Sequence, residues 1–444
     1  MSNTQSIFTT SDGKNYRLPF ILITCLFLLW GFAHSLLDIL NKHFQDALHL
    51  TKAQSGLVQA SAYGAYFLMA IPAGFVAKKY GYKSGVLIGL LLFAAGCFWF
   101  VPAVSINAFW AFLLGLLIIF CGLTFLETVA NPYTTVLGDP KYAASRINLA
   151  QTFNAIGWIL GPLVGSLLIF KNNASENLFV SFGKTLKTLF TGVAQTTAVL
   201  NDTAEKAVSN SALIAPYVGL GIVVLLVILM FFFVKLPEVT PEAAEHSVSS
   251  GKDVLAHKPL IKTRHFVLAV IAQFLYVAAQ TGIGSFFVNY TIEAKALGIS
   301  EMQAGILLGL GGMGLFALGR FMGSSLMKII KPGRLLGSFA LLNTLLMLMV
   351  ATRHDNIGIL ALILSYLFMS IMFPSIFALG IKGLGENTKR ASSILVMTVV
   401  GGAICPALMG AIGAENMNVG FIIPMICFLY IAFFGFVGSR MEVK

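Results

Sequence analysis

The chain contains few charged residues and few cysteines. Only 11% of its 444 residues are Asp, Glu, Lys or Arg, whereas 57% are apolar, a balance far from that of soluble globular proteins. No GxxxxGK(S/T) phosphate-binding loop is present, which argues against an ATP-driven pump. The five cysteines form no CxxC or Cys/His pattern, so neither a zinc site nor a disulfide framework is indicated. We expect no metal site, no catalytic residues and no enzymatic activity.

Acidic residues are fewer than basic residues: the chain has 18 Asp and Glu against 29 Lys and Arg, which gives a formal net charge of +11. Such an excess would suggest nucleic-acid binding if it were gathered into a basic patch interleaved with aromatic residues. Here the basic residues are spread over the polar breaks between long apolar runs. The sequence therefore predicts no nucleic-acid partner.

Twelve apolar stretches dominate the chain, each long enough for a helix that crosses a hydrocarbon layer of roughly 30 Å. Their approximate bounds are 18–45, 53–77, 84–104, 107–136, 146–170, 211–235, 265–292, 302–328, 334–352, 356–381, 391–413 and 419–440. The run at 110–125 is almost continuously apolar, unlike the alternating strands of an outer-membrane barrel. The predicted fold class is an all-α membrane protein with twelve transmembrane helices.

The distribution of Lys and Arg predicts the orientation of these helices. If both termini lie inside, the termini and inner loops hold 20 basic residues and the outer loops 8, among them Lys42 and Lys52, with Arg320 inside the eighth stretch. Basic residues favour the cytoplasmic side. The polar segment before the first stretch has no small-residue cleavage site, so we expect that stretch to remain as a helix. We expect a monomeric, multi-pass protein of the cell inner membrane with cytoplasmic termini, in contact with the lipid bilayer.

Two longer polar breaks divide the chain. Residues 171–210 are predicted to form a partly ordered outer segment, and the Pro- and Ser-containing stretch 236–264 is predicted to be a cytoplasmic linker. The linker separates an N-terminal six-helix bundle, 1–235, from a C-terminal six-helix bundle, 265–444. Related glycine-plus-basic turns follow stretches two and eight, at 74–83 and 323–334. Parallel halves of this kind are typical of the major facilitator fold, with its substrate site at the membrane midplane.

Several short motifs make the resemblance more specific. The segment 74–83 resembles the major facilitator loop between helices two and three, although Lys78 stands where an acidic residue is usual. The motifs are FLLW at 27–30, LDIL at 37–40, LETVANP at 126–132, NLAQTFN at 148–154, AQT at 279–281, FPSIFALGIK at 373–382 and VMT at 396–398. Together they resemble the fucose permease family of sugar–proton symporters over nearly the whole chain.

Two acidic residues, Asp38 and Glu127, lie well inside apolar stretches, whereas Asp46, Glu293, Glu301 and Glu415 lie at the ends of stretches or in loops. A central Asp costs about 2.5–3.5 kcal/mol on insertion scales, so both are expected to face a cavity and serve a function. Burial without a cationic partner favours the protonated carboxyl, which suits a group that loads and releases a proton. Hydrogen bonds that only fix helix packing, for example to Tyr63 or Asn131, are the structural alternative. The resemblance implies that the two carboxylates serve proton transfer and sugar recognition.

Uncharged polar and aromatic side chains are candidates for the remainder of a sugar site. Gln151 and Asn154 share one helix face, and Gln273, Tyr276 and Gln280 share another. His34 precedes Asp38 by one turn and is a candidate for a proton relay or for sugar binding. Tyr63 and Phe373 are candidates for stacking on a pyranose ring. Helix-packing hydrogen bonds and core packing are the alternatives for each of them.

The resemblance implies proton-coupled uptake of a monosaccharide, L-fucose or a related hexose, with no cofactor beyond the coupling proton. Several positions depart from the fucose permease pattern: His34, Ser35 and Leu37 occupy a region with asparagines in that family, and Phe373 replaces a tyrosine. Glucose, galactose, mannose and amino sugars therefore remain open as substrates. A sodium-coupled or uncoupled carrier and a non-transporting sugar sensor are the other functional classes.

Overall fold

The computed structural model describes residues 16–137, 143–169, 178–192, 210–234, 260–327, 329–384 and 388–441. Within these ranges, twelve helical spans are long and apolar enough to cross a membrane, and no β-strand is present. Numbered 1 to 12 in chain order, the spans are Arg17–Ala47, Lys52–Ala77, Lys79–Ile106, Phe109–Asn131, Leu149–Ile169, Asn210–Phe233, Arg264–Glu293, Glu301–Gly323, Pro332–Thr352, Asn356–Gly380, Ile394–Ile412 and Met417–Arg440. The predicted all-α membrane fold with twelve transmembrane helices is confirmed.

The spans consist of α-helices with short 3₁₀ and π segments. The α-helices are Arg17–Ala47, Lys52–Ser55, Leu57–Ile106, Phe109–Val136, Ala143–Ile169, Leu178–Thr191, Ile214–Phe233, Arg264–Glu293, Glu301–Ile306, Gly314–Leu326, Pro332–Thr352, Asn356–Met369, Met372–Gly380, Thr388–Met397, Gly401–Ile412, Met417–Gly420 and Ile422–Phe436. The 3₁₀ segments are Asn210–Leu213, Leu260–Lys262, Lys295–Leu297, Thr398–Val400 and Gly438–Arg440. Leu307–Met313 is a π-helical segment.

Glycine and proline set the irregular points of these helices. Gly81, near the start of span 3, kinks the helix Leu57–Ile106 with φ 82° and ψ 168°, a conformation available to glycine but strained for other residues. The π segment of span 8 has the glycine-rich sequence LLGLGGM, and such segments are frequent at functional positions. Span 10 is interrupted after Met369 and resumes at Met372, two residues before Pro374. The helix of span 4 continues through Pro132 to Val136.

Span 1 is longer than its apolar core requires. Its helix runs to Ala47, so Lys42, which the sequence assigned to an outer loop, lies within the helix and is only 12% exposed. Asp46, four residues later, forms an ion pair with it. Because this pair neutralises the charge locally, the helix can continue past the apolar residues.

Part of the predicted outer segment 171–210 is helical. The helix Leu178–Thr191 has Thr185 and Leu189 on its buried face, and the carbonyl oxygen of Leu189 accepts a hydrogen bond of 3.0 Å from Nδ2 of Asn356 in span 10. The predicted linker 236–264 falls outside the described residues, except for 260–264.

The chain divides into two compact units. The first comprises Met1–Ser35, Gly64–Gly161 and Ser211–Ser250, and the second comprises Leu36–Tyr63, Pro162–Asn210 and Gly251–Lys444. Spans 1, 2 and 5 are each divided between the two units, and Asn210 at the start of span 6 belongs to the second unit, so this division does not follow the order of the spans. The two six-helix bundles and their linker stay a prediction.

Candidate functional site

The residues predicted for proton and sugar binding fall into both units. The first unit holds His34, Glu127, Gln151 and Asn154. The second holds Asp38, Tyr63, Gln273, Tyr276, Gln280 and Phe373.

Glu127 lies in span 4 within a chain of polar side chains. Its side chain is half-buried, and its carboxyl group interacts with the phenol of Tyr66. The amide of Asn131 donates a hydrogen bond of 3.2 Å to the carbonyl oxygen of Glu127. Gln151 donates in turn to Oδ1 of Asn131 at 3.4 Å. A partly accessible carboxylate beside amides and a phenol is suited to sugar hydroxyls, since it accepts hydrogen bonds that its neighbours cannot.

Asn154 takes part in the close packing of spans 1 and 5. Its Nδ2 donates to the carbonyl oxygen of Phe27 at 3.1 Å, and the side chain is buried. Two glycines allow this approach: a Cβ at Gly31 would lie 2.2 Å from the carbonyl oxygen of Asn154, and one at Gly157 would lie 2.3 Å from that of Leu28. The predicted role of Asn154 in sugar binding stays a prediction, while the structure gives it a helix-packing hydrogen bond.

Gly157→Ala is expected to destabilise the protein by about 1–3 kcal/mol, because the added methyl group must displace the backbone of span 1. Thermal unfolding in detergent should show a lower midpoint than the wild type. Gly219→Ala in span 6 is the matched control, since a Cβ at that position meets no atom within 4 Å. Equal midpoints for the two variants would contradict the close contact of spans 1 and 5.

His34 is enclosed by aromatic rings. The centroid of its ring lies 4.8 Å from that of Phe120, 5.5 Å from that of Tyr66, and 5.8 Å from those of Trp30 and Trp158. Its Nδ1 lies 3.2 Å from the carbonyl oxygen of Trp30. The proposed relay role of His34 stays a prediction, but Tyr66 contacts both His34 and Glu127 and was not identified from the sequence.

Asp38 lies in span 1 and is 5% exposed. Nε2 of Gln59 in span 2 donates a hydrogen bond of 3.4 Å to Oδ1 of Asp38, and Tyr366 of span 10 lies near the carboxyl group. Gly284 of span 7 is in direct contact, since a Cβ there would lie 2.8 Å from both carboxyl oxygens. Asp38 is therefore surrounded by neutral groups in this structure.

The other predicted residues of the second unit lie in spans 2, 7 and 10. The hydroxyl of Thr281 donates to that of Tyr63 at 3.2 Å, and Tyr276 donates to the carbonyl oxygen of Met369 at 3.0 Å. The rings of Tyr276 and Phe373 meet edge to face, with centroids 6.2 Å apart. The structure thus brings one predicted pair, Tyr276 and Phe373, into contact.

The two glutamines of span 7 differ in accessibility. Gln280 is half-buried, whereas Gln273 is fully buried and its amide atoms have no hydrogen-bond partner among the described residues. Gln280 is therefore the more accessible amide for a sugar hydroxyl in this structure. Arg320 of span 8, the cation inside the eighth stretch, lies near Tyr276.

A cluster of ion pairs at the end of span 1 was not predicted from the sequence. Lys42 contacts both Asp46 and Glu301, the latter with Nζ to Oε1 at 3.0 Å. Lys52 lies 2.6 Å from Oε1 of Glu293. The sequence placed these residues at helix ends or in loops, because the pairing partners come from distant parts of the chain. We call these five residues the ion-pair cluster.

The sequence of span 2 contains a pattern that could have identified Gln59 and Tyr66. Gln59, Tyr63 and Tyr66 follow i, i+4, i+7 spacing, which places them on one helix face. Of these three residues, only Tyr63 is among the sugar-binding residues predicted from the sequence. Tyr366 and Gly284 have no comparable signal, because their importance depends on neighbours from other spans.

Comparison with known proteins agrees with this architecture. The sequence profile of the Major Facilitator Superfamily matches residues 20–407. The glucose/galactose transporter of Brucella abortus biovar 1 (strain 9-941) is 36% identical over 434 residues, covering 97% of this chain and 96% of its own. The L-fucose-proton symporter of Escherichia coli (strain K12) is 38% identical over 428 residues, covering 95% and 93%.

Among solved structures, the crystal structure of the Major Facilitator Superfamily transporter FucP in the outward conformation aligns with a TM-score of 0.63 at 38% sequence identity. The alignment covers 95% of this chain and 98% of that one. Profile, relatives and structure all extend over nearly the whole described chain. The chain therefore belongs to the Major Facilitator Superfamily, within the family that includes the L-fucose-proton symporter of Escherichia coli and the glucose/galactose transporter of Brucella abortus.

Proposed function

We propose that the chain takes up a monosaccharide together with a proton, by alternating access across the cell inner membrane. One observation carries the proposal: Asp38 and Glu127 lie inside membrane spans, and among the described residues neither forms an ion pair with Lys or Arg. An ionised carboxylate in such a position is unfavourable in free energy. A carboxyl group that gains and loses a proton during transport can be neutral whenever it is buried.

The relatives support the choice of cargo. One relative is named an L-fucose-proton symporter and another a glucose/galactose transporter. We propose L-fucose or a related hexose as the substrate, because neutral amides, hydroxyls and a carboxylate suit a polyol without charge. The accessible candidates are Glu127, Gln151 and Gln280. His34, Ser35 and Phe373 differ from the fucose permease pattern and are proposed to select among hexoses.

The two carboxyl groups have different surroundings, which supports different roles. Asp38 is buried against glycine, amide and phenol groups, and we propose that it carries the coupling proton. Glu127 is half-buried beside Tyr66 and the amide chain of Asn131 and Gln151. We propose that Glu127 links the proton to the sugar, since protonation changes how many hydrogen bonds its oxygens accept.

The basic residues support an orientation with both termini in the cytoplasm. Inner loops and termini hold 20 basic residues and outer loops 8 when counted along the sequence, in agreement with the positive-inside tendency. In this orientation the ion-pair cluster lies at the outer ends of the spans.

Sugar-induced alkalinisation tests the proposal. Purified protein in lightly buffered, sodium-free proteoliposomes should raise the external pH when L-fucose is added, because each sugar enters with a proton. Protein-free liposomes are the control. Sugar counterflow without alkalinisation would instead support a sodium-coupled or uncoupled carrier, because neither moves a proton with the sugar. Robust binding without counterflow would indicate a sensor.

Counterflow of labelled L-fucose against a panel of unlabelled sugars should identify the substrate. We expect competition from L-fucose, D-galactose or D-glucose and none from a charged sugar phosphate, because the accessible candidates include a carboxylate and no basic side chain. Competition by the phosphate would contradict the proposed neutral cargo.

A further inference from the structure

The carboxyl group of Asp38 packs directly on the backbone of span 7. A Cβ atom on Gly284 would lie 2.8 Å from Oδ1 and 2.8 Å from Oδ2, which is closer than side chains approach one another. Asp38 is 5% exposed in this position. Any larger residue at 284 would therefore exclude the Asp38 side chain from the place that it occupies here.

The packing of Asp38 on Gly284 belongs to a longer interface between spans 1 and 7, in which contacts repeat along both helices. Nδ2 of Asn41 donates to the carbonyl oxygen of Ser285 at 2.6 Å. One turn further along both helices, Nδ2 of Asn289 donates to Oε1 of Gln45 at 2.6 Å. Both partners advance by four residues, so the helices run in the same direction. Asp38 and Gly284 lie at the beginning of this contact.

The groups around Asp38 do not supply the interactions that a buried carboxylate needs. Gln59 offers one hydrogen bond of 3.4 Å. Tyr366 lies near the carboxyl group, and its hydroxyl has no hydrogen-bond partner among the described residues. Lys42, one turn further along span 1, is engaged by Asp46 and Glu301. Burial of an ionised group under such conditions is unfavourable, whereas a neutral acid is accepted.

We propose that Gly284 is a positioning residue for proton coupling: it admits the Asp38 carboxyl group to the contact between spans 1 and 7 only when that group is protonated. The inference rests on the proposed role of Asp38 as the proton carrier. Closure of this contact then requires a proton. A carrier that has bound sugar without a proton cannot close, so sugar does not cross alone.

Crosslinking of the double variant Gln45→Cys/Asn289→Cys with a short bifunctional thiol reagent reports closure, because these side chains are in hydrogen-bond contact. The full-length protein without the two introduced cysteines controls for the five native ones. Because the reagent reacts with thiolates, whose population depends on pH, each crosslinked fraction is compared with that of Asp38→Asn at the same pH. Asp38→Asn has a neutral side chain of the same size and should crosslink strongly. The ratio of the fraction in otherwise wild-type protein to that in Asp38→Asn should rise as the pH falls.

Gly284→Ala should lower the crosslinked fraction at least tenfold at every pH, because the methyl group and the Asp38 side chain compete for one space. Adding Asp38→Ala should restore crosslinking, which loss of folding could not explain. Gly314→Ala is the matched control, since a Cβ there meets no atom within 4 Å.

The proposal would be overturned by unchanged crosslinking in Gly284→Ala, by failure of Asp38→Ala to restore it, or by a ratio of wild-type to Asp38→Asn crosslinking that does not change with pH. The last measurement decides the matter if Gly284→Ala does not fold. Crosslinking needs neither sugar nor a gradient, so its outcome is separate from that of the alkalinisation experiment. Absent alkalinisation with intact pH-dependent closure would reject the symport, and with it the coupling role of Gly284, while the contact of protonated Asp38 with Gly284 would stand.

Discussion

Replacement of Glu127 by Gln is expected to abolish sugar accumulation driven by a proton gradient, while exchange of labelled for unlabelled sugar persists. Each proton that enters through a membrane potential of 100 mV contributes about 2.3 kcal/mol, enough for roughly a 50-fold sugar gradient. A glutamine keeps the shape and the hydrogen-bonding capacity of a protonated glutamate but cannot exchange the proton. The variant should therefore bring the inside-to-outside ratio from roughly 50 to about 1.

The loss of accumulation in Glu127→Gln should reflect lost proton exchange and not a disrupted structure. Its interaction with Tyr66 and the backbone hydrogen bond from Asn131 do not need a charged side chain, so the local packing should survive. Glu415→Gln is the control, because Glu415 is exposed and its loss should leave accumulation unchanged. Accumulation that persists in Glu127→Gln, with the same proton requirement as the wild type, would refute the role of this residue.

The carboxylates that define the candidate site could be predicted from sequence because acidic residues are rare in apolar spans. Of the 18 acidic residues in the chain, Asp38 and Glu127 are the two that lie well inside predicted apolar stretches. The twelve spans were predicted for the same physical reason, since apolar stretches of this length have few other uses. Composition and hydropathy are properties of the chain itself and need no knowledge of tertiary contacts.

Tertiary contacts explain what could not be predicted. Gly284 is one of 43 glycines, and its significance comes from Asp38, nearly 250 residues away in the chain. The sequence predicts Lys42 in an outer loop, because its partner Glu301 belongs to another span and the ion pair between them forms only in the folded chain. Asn154 was predicted from its helix face, but only the structure shows that its amide donates to the backbone of Phe27.

The ion-pair cluster lies at the ends of the helices, near the contact of Gln45 in span 1 with Asn289 in span 7. Lys52 pairs with Glu293 at the end of span 7, and Lys42 pairs with Glu301 at the start of span 8. Within span 1, Asp38, Lys42 and Gln45 lie on one helix face by their i, i+4, i+7 spacing. We infer that the cluster stabilises the closed arrangement for which Asp38 must be protonated.

Lys42→Gln is therefore expected to shift the protein away from this closed arrangement. The variant leaves Asp46 and Glu301 beside each other without the cation that joins them, and two neighbouring carboxylates repel. The side chains of the trio are 12–31% exposed, so part of the effect is lost to solvent screening. We expect a change of about 1–3 kcal/mol, which corresponds to a 5- to 150-fold shift in the equilibrium. Crosslinking between Gln45→Cys and Asn289→Cys should fall accordingly.

Neutralising the two carboxylates that Lys42→Gln leaves unpaired separates their repulsion from a general loss of stability. Adding Asp46→Asn and Glu301→Gln to Lys42→Gln removes the repulsion and should recover most of the crosslinking. Arg353→Gln is the matched control, because its pair with Asp355 is exposed by 49% and 41% and such pairs contribute little. If Lys42→Gln crosslinks as the wild type does, or if the triple variant recovers nothing, the cluster does not hold spans 1 and 7 together, and the buried contact of Asp38 with Gly284 alone must account for closure.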